Sequence, residues 1–305
     1  MSTMTPEWFS AALGSRPDEG TTDVDGTSIT YRAWGDAGMP GVVLVHGGAA
    51  HAHWWDHIGP LLVEGRRRVV AVDLSGHGDS GRRERYELDI WAEEVLAAAA
   101  SGGIEGPPVV IGHSMGGFVT LRAAALFGSR LHGAVVVDSP VRELTPEERA
   151  ARAGQAFGPL RVYATLEEGM THFRSVPDQP ALDYVTRHVA RHSLRRVDDG
   201  WTWKFDPRVF VRAHLGPSVL TRLECRIALL RGEHGILSQQ MSEVMYDRLG
   251  RAAPVIEIPD AGHHIMLDQP LALATALRTL LADWDHSQPS TGPVAVGARL
   301  QGRAG

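Results

Sequence analysis

Short runs of consecutive apolar residues alternate along most of this chain with segments whose apolar positions recur every three or four residues. The runs are GVVLV from Gly41, VVAVD (69–73), VVI from Val109, AVVVD (134–138), IALLRG (227–232) and PVIEIP from Pro254. A continuous apolar run suits a strand buried on both faces of a parallel sheet, and the longer spacing suits amphipathic helices packed over it. Helices are expected around Leu88 to Ser101, over FVTLRAAALF after Gly117, from Ser238 to Leu249, and in a last stretch ending near Trp284. Ahead of the first run, TTDVDGTSITYRAWGD alternates about an Asp25-Gly26 turn and reads as an antiparallel hairpin. Strands alternating with helices in this way predict an α/β fold with a mostly parallel sheet and helices on both faces.

The pattern breaks between Ser139 and about Leu223. That stretch is rich in arginine and glutamate, has no buried-strand run, and reads as a helical cap (139–223) inserted into an α/β core made of residues 20–138 and 224–285. Residues 1 to about 20 read as a partly ordered lead-in, and the tail 286–305 as disordered.

Composition narrows the class. The chain has 305 residues, 43% hydrophobic and 22% charged, enough for one large domain with an insertion. No run reaches the length of a membrane span, and the N-terminus lacks the basic and apolar regions of a secretory signal, so a cytoplasmic protein without a membrane partner is expected. The net charge of -6 argues against nucleic acid as a partner. The single cysteine, Cys225, precedes an apolar strand and reads as a small core residue.

The candidate chemistry centres on VVIGHSMGG (109–117), a buried strand that passes through Gly112-His113-Ser114-Met115-Gly116 straight into a helix. A turn this sharp brings strand and helix backbones together and needs glycine two positions either side of the serine. The hydroxyl is then held clear of the sheet, beside the free N–H groups of the helix start. With this elbow go Val45-His46-Gly47-Gly48 after the first parallel strand, the turn Asp73-Leu-Ser-Gly-His-Gly-Asp-Ser80, an acid after a later strand, and Gly262-His263 near the end. In that order these motifs resemble the α/β-hydrolase superfamily across residues 20–285, which implies an eight-stranded sheet.

A serine hydroxyl needs a base in hydrogen-bond reach, and the base needs a third group to fix its tautomer. Ser114 is the expected nucleophile and His263 the base, although a surface-turn histidine would read the same in isolation. The resemblance implies an oxyanion hole from the backbone N–H groups of Met115 and Gly48, with Ala49 a close alternative to Gly48. It also implies an acid three residues after the glycine that ends the penultimate strand, but that position is Gly235, with no carboxylate. Two acids preserve the chain order: Asp138, which closes a buried strand and is favoured, and Glu233, the alternative. Asp138 also reads as a helix cap, and Glu233 as a solvated loop acid.

His51, His53 and His57 have metal-like spacing, but no further histidine or carboxylate is placed by sequence to complete a site, so neither metal nor cofactor is expected. Trp54 and Trp55 are expected to shape the pocket or pack the helix, and Phe157, Tyr163, Trp201, Trp203 and Phe205 to form an apolar pocket or the core of the cap. His264 is expected to point away from the site. The leading expectation is a serine hydrolase acting on a small apolar ester or lactone through an acyl-enzyme. A β-diketone C–C hydrolase and a weakly catalytic ligand-binding protein are the alternatives, with a cofactor-free oxygenase or perhydrolase behind them. Homodimerisation is a further expectation, since caps and edge strands of this fold often mediate it.

Overall fold

The computed structural model describes residues 5–148, 159–210, 215–221 and 223–287. An eight-stranded sheet runs through it in the order β1-β2-β4-β3-β5-β6-β9-β10. The strands are β1 (Asp18–Val24), β2 (Thr27–Trp34), β3 (Gly41–Val45), β4 (Arg68–Val72), β5 (Val109–His113), β6 (Gly133–Val137), β9 (Arg226–Gly232) and β10 (Val255–Ile258). The β1–β2 hairpin is antiparallel and joins β4 antiparallel. Every other pair in the sheet is parallel. All residues of β3, β4, β5 and β6 are buried, as their unbroken apolar runs require when both faces are covered.

Two apolar clusters fill the layers. One packs Trp91, Val95, Val119 and Leu121, from the helices Leu88–Ser101 and Met115–Phe127, against Val43, Val70 and Val110. The other packs Trp55, Ile58, Leu62, Leu277 and Leu281 against Leu44, Ala71 and Ile111. Each fully buried Leu, Ile or Val side chain contributes roughly 1.5–3 kcal/mol relative to exposure.

Two stretches differ from the sequence expectation. The lead-in contains α1 (Glu7–Gly14), whose Phe9 is buried against Tyr184 and His57, and β1 begins before residue 20. Residues 139–225, which join β6 to β9, are not wholly helical: beside the helices Leu166–Thr171 and Asp183–His192 they form the hairpin β7 (Leu194–Val197) and β8 (Gly200–Trp203). The hairpin turns through Asp198-Asp199 into Gly200, whose φ is +143° and where a β-carbon would collide with the Tyr163 carbonyl. The expected aromatic Phe157 and the tail beyond Ser287 lie outside the described residues.

Candidate active site

Parallel strands end at one edge of the sheet, and three of them carry the relevant groups there. At the end of β5, Ser114 adopts φ 54° and ψ −117°, a strained conformation that only its surroundings can hold. Its N–H donates to the Val137 carbonyl at 3.0 Å, and its carbonyl accepts from Gly117 N–H at 3.0 Å. The flanking glycines are required by contact. A β-carbon at Gly116 would lie 2.5 Å from the carbonyl oxygens of Val45 and His46, and one at Gly112 would overlap the Gly116 carbonyl and Thr120 Oγ1. Strand, helix and the loop after β3 therefore meet around one partly exposed serine.

His263 follows β10 and is buried, with Nε2 3.0 Å from Ser114 Oγ. Its Nδ1 donates to Asp138 Oδ2 at 2.7 Å, which leaves the Nε2 lone pair facing the hydroxyl. Asp138 directly follows β6, is fully buried, and accepts further N–H bonds from Gly232 (3.3 Å), Ile236 (2.8 Å) and Leu237 (3.4 Å). A carboxylate that accepts this many N–H groups is both fixed in place and compensated for its burial. A β-carbon on Gly235 would overlap the Asp138 carboxyl group. The acid from β6 thus fills the space that a side chain at position 235 would need. Glu233 lies elsewhere: it is exposed and accepts from Asp260 N–H at 2.9 Å.

The loop His46–Gly48 borders the serine. A β-carbon on Gly47 would stand 3.3 Å from Ser114 Cβ, and one on Gly48 would stand 3.8 Å from Met115 Sδ. His46 fixes this loop as a neutral imidazole, its Nδ1 donating to the Gly47 carbonyl at 2.7 Å and its Nε2 accepting from Leu74 N–H at 3.1 Å. Burial lowers its pKa. Asp73 anchors the neighbouring turn by accepting from Ala52 N–H at 2.6 Å and Asp79 N–H at 2.9 Å.

Other expectations resolve as follows. His264 is buried beside His263, with ring centres 4.6 Å apart, and donates from Nε2 to the Val176 carbonyl at 3.1 Å. Burial drives its pKa down to about 3, with the neighbouring His263 adding to the shift. Trp55 is fully buried in the core, and Trp54 packs on Phe173 and His264. In the 139–225 insertion, Trp203 lies edge-on to Tyr163 and near Phe173, and Phe210 reaches the Gly48 backbone. Burial raises the Cys225 thiol to about 11, so it carries no thiolate at neutral pH.

Three supporting groups had no clear signal in the sequence. Gln179, from the insertion, accepts from His264 N–H at 2.7 Å and donates to Asp268 Oδ2 at 2.8 Å. That same Asp268 oxygen accepts from Gly262 N–H at 2.6 Å, so the turn carrying His263 is tied on both sides. His113 donates from Nε2 to the His263 carbonyl at 2.9 Å. Burial, reinforced by His263 and His264, holds it neutral. Only the short Asp268 spacing from His263 lay within reach of sequence reading, because Gln179 and His113 meet the turn through tertiary contacts.

Among the described residues no helix is long and apolar enough to cross a membrane. Comparison with known proteins agrees with the architecture. The esterase Rv0045c of Mycobacterium tuberculosis is 30% identical over 274 residues, covering 85% of this chain and 88% of that protein. A pimeloyl-[acyl-carrier protein] methyl ester esterase of Neisseria meningitidis is 31% identical over 186 residues, 52% of this chain and 70% of the relative. Among solved structures, E-2-(acetamidomethylene)succinate hydrolase superposes with a TM-score of 0.76 at 19% identity, over 88% of this chain and 100% of the other, a likeness of fold. The sequence profile of the alpha/beta hydrolase family matches residues 42–276, and with the sheet order and the elbow at Ser114 this makes the chain a member of that family.

Proposed function

We propose that this chain hydrolyses a carboxylic ester of a small molecule through an acyl-enzyme on Ser114. The observation that carries the reading is the continuous hydrogen-bonded line from Ser114 Oγ through His263 to Asp138, in a chain related to an esterase. Ser114 Oγ attacks the ester carbonyl while His263 Nε2 takes its proton. Asp138 keeps the imidazole in the tautomer that can accept it and stabilises the imidazolium that forms. The N–H groups of Gly48, or its neighbour Ala49, and Met115 receive the developing oxyanion; one such donor is worth about 2.7–4 kcal/mol in the transition state. The imidazolium then protonates the departing alkoxide, and a water activated by the same histidine releases the acid. A lactone is opened by the same steps, because it differs only in keeping the leaving group tethered.

The insertion 139–223 acts as the cap in this reading, with Phe210 beside Gly48 favouring an apolar acyl group. The alternative of a binding protein with little turnover drew on the glycine at position 235. Asp138 beside His263 supplies the group whose absence motivated it.

Hydrolysis of p-nitrophenyl esters of increasing acyl length, beside labelling by a serine-reactive phosphonate, tests the proposal. Turnover and a single adduct on Ser114 are expected in the wild type, with both abolished in Ser114→Ala. Ester turnover that survives in Ser114→Ala would refute the assignment of the nucleophile.

A further inference from the structure

The loop that begins at the Gly48 turn continues through His51, His53 and Asp56, and meets the helix Asp183–His192 of the insertion. His188 and His192 are four residues apart and so share one face of that helix. The His53 and His192 rings stack with centres 4.3 Å apart, and the His188 and His192 centres are 4.4 Å apart. One ring nitrogen from each of the three lies within 4.8 Å of the other two.

Their hydrogen bonds assign the tautomers. His53 Nδ1 and His188 Nε2 both reach Asp56 Oδ2, at 2.8 and 2.9 Å. An ionised carboxylate only accepts, so both nitrogens carry the proton, and the lone pairs are on His53 Nε2 and His188 Nδ1. His192 Nδ1 donates to the His188 carbonyl at 2.8 Å, leaving its lone pair on Nε2. Each of the three imidazoles thus keeps one nitrogen lone pair for a further partner, with a carboxylate or carbonyl holding its other nitrogen. Metal-binding histidines are oriented by outer partners of this kind. His53 and His188 are only partly buried, and His188, His192 and Asp56 line an open cavity of about 580 Å³, which gives an ion a way in.

We propose that His53, His188 and His192 form a binding site for a divalent transition-metal ion of the zinc class, oriented by Asp56, which clamps the insertion helix onto the loop that carries Gly48. Imidazole ligands select zinc, copper or nickel over magnesium and calcium. At about 2.0 Å from each nitrogen the ion draws the partly exposed rings inward and leaves a fourth position for water from the cavity. The competing group is Arg32, whose Nη1 lies 3.5 Å from His53 Nε2, the outer limit of a hydrogen bond. Arg32 is otherwise engaged by Glu19 and by Asp56 Oδ1, so it can yield that contact.

Two other clusters with metal-like spacing are weaker candidates. In His113, His263 and His264 the proposed base already has both nitrogens engaged, by Asp138 and Ser114. Glu233, His234 and Asp260 are exposed, and Glu233 is turned onto the backbone.

Titration of the metal-stripped protein with zinc chloride, followed by calorimetry and by thermal unfolding, tests the site. The expected result is one tight zinc ion per chain and a rise in Tm, with no response to magnesium. His192→Ala and His192→Gln should each weaken binding by at least about 100-fold, and Asp56→Asn by about 10–100-fold. His234→Ala should bind as the wild type does. Circular dichroism and ester turnover without metal establish that each variant is folded. Zinc binding of unchanged affinity and stoichiometry in both folded His192 variants, or no binding by the wild type at micromolar zinc, overturns the proposal.

Discussion

The two histidine clusters that flank the loop after β3 are built from one kind of side chain and differ in what their ring protons meet. Beside Ser114, the His113 and His264 protons go to backbone carbonyls, and His263 alone faces a carboxylate. One lone pair is left aimed at a hydroxyl, while the neighbouring imidazoles pack around it as neutral rings. Between the loop and the insertion, two histidines share a single carboxylate oxygen, and a third stacks on one of them. The first arrangement isolates a base; the second gathers ligands. The partners of the rings, rather than the spacing of the histidines, decide which chemistry a cluster supports.

The contrast breaks most visibly at the nucleophile. Ser114→Ala should lower kcat/KM by about 10⁶-fold on a p-nitrophenyl ester, while leaving zinc binding unchanged. Exchanging single carboxylates for amides sharpens it further. Asp138→Asn should cost about 10⁴-fold in kcat by favouring the wrong histidine tautomer. Glu233→Gln and Asp56→Asn should stay within about twofold of the wild type in steady-state assays. A crippled Glu233→Gln enzyme would move the acid to the later loop.

Acid titration separates the buried cluster by another property. The pKa of His264 in the fold is about 3, depressed by burial from 6.5. The unfolded chain therefore takes up a proton that the native state refuses as pH falls. The stability this provides is complete above pH 6.5 and is lost as pH drops toward about 3, a loss of roughly 3–5 kcal/mol. Urea unfolding at a series of pH values should show it, and His264→Gln should flatten the slope.

Smaller effects come from the supports. Gly235→Ala places a methyl group against the Asp138 carboxyl and should displace it enough to lower kcat about 10²-fold, with KM little changed. Gln179→Ala removes the bonds to His264 N–H and Asp268 Oδ2, leaving the other ties on the His263 turn, and should cost about 1 kcal/mol of stability, measured by chemical denaturation. A several-fold fall in kcat should accompany it.

The sheet was legible in the sequence because its central strands are buried on both faces and must be apolar throughout, as in Gly41–Val45 and Gly133–Val137. The elbow was legible because its backbone contacts admit only glycine at 112 and 116. The contact at 112 lies within the strand–turn–helix unit and the one at 116 reaches the loop after β3, but both leave their mark in a short run of neighbouring residues. The β7–β8 hairpin was missed despite the Asp199-Gly200 signal, since arginine-rich surroundings masked a short alternating pattern. Asp138 and Glu233 stood as alternatives because chain order alone does not say where a loop turns its carboxylate. Packing decided that, by bringing the bare backbone of Gly235 against Asp138 and turning Glu233 toward Asp260. The histidines at 51, 53 and 57 showed no completing ligand because the nearest candidates, His188 and His192, lie more than a hundred residues further along. Only the docking of the insertion on the sheet edge brings them to His53. Local burial and backbone contact are written residue by residue, whereas a site assembled from distant segments exists only once tertiary packing fixes the distances between them.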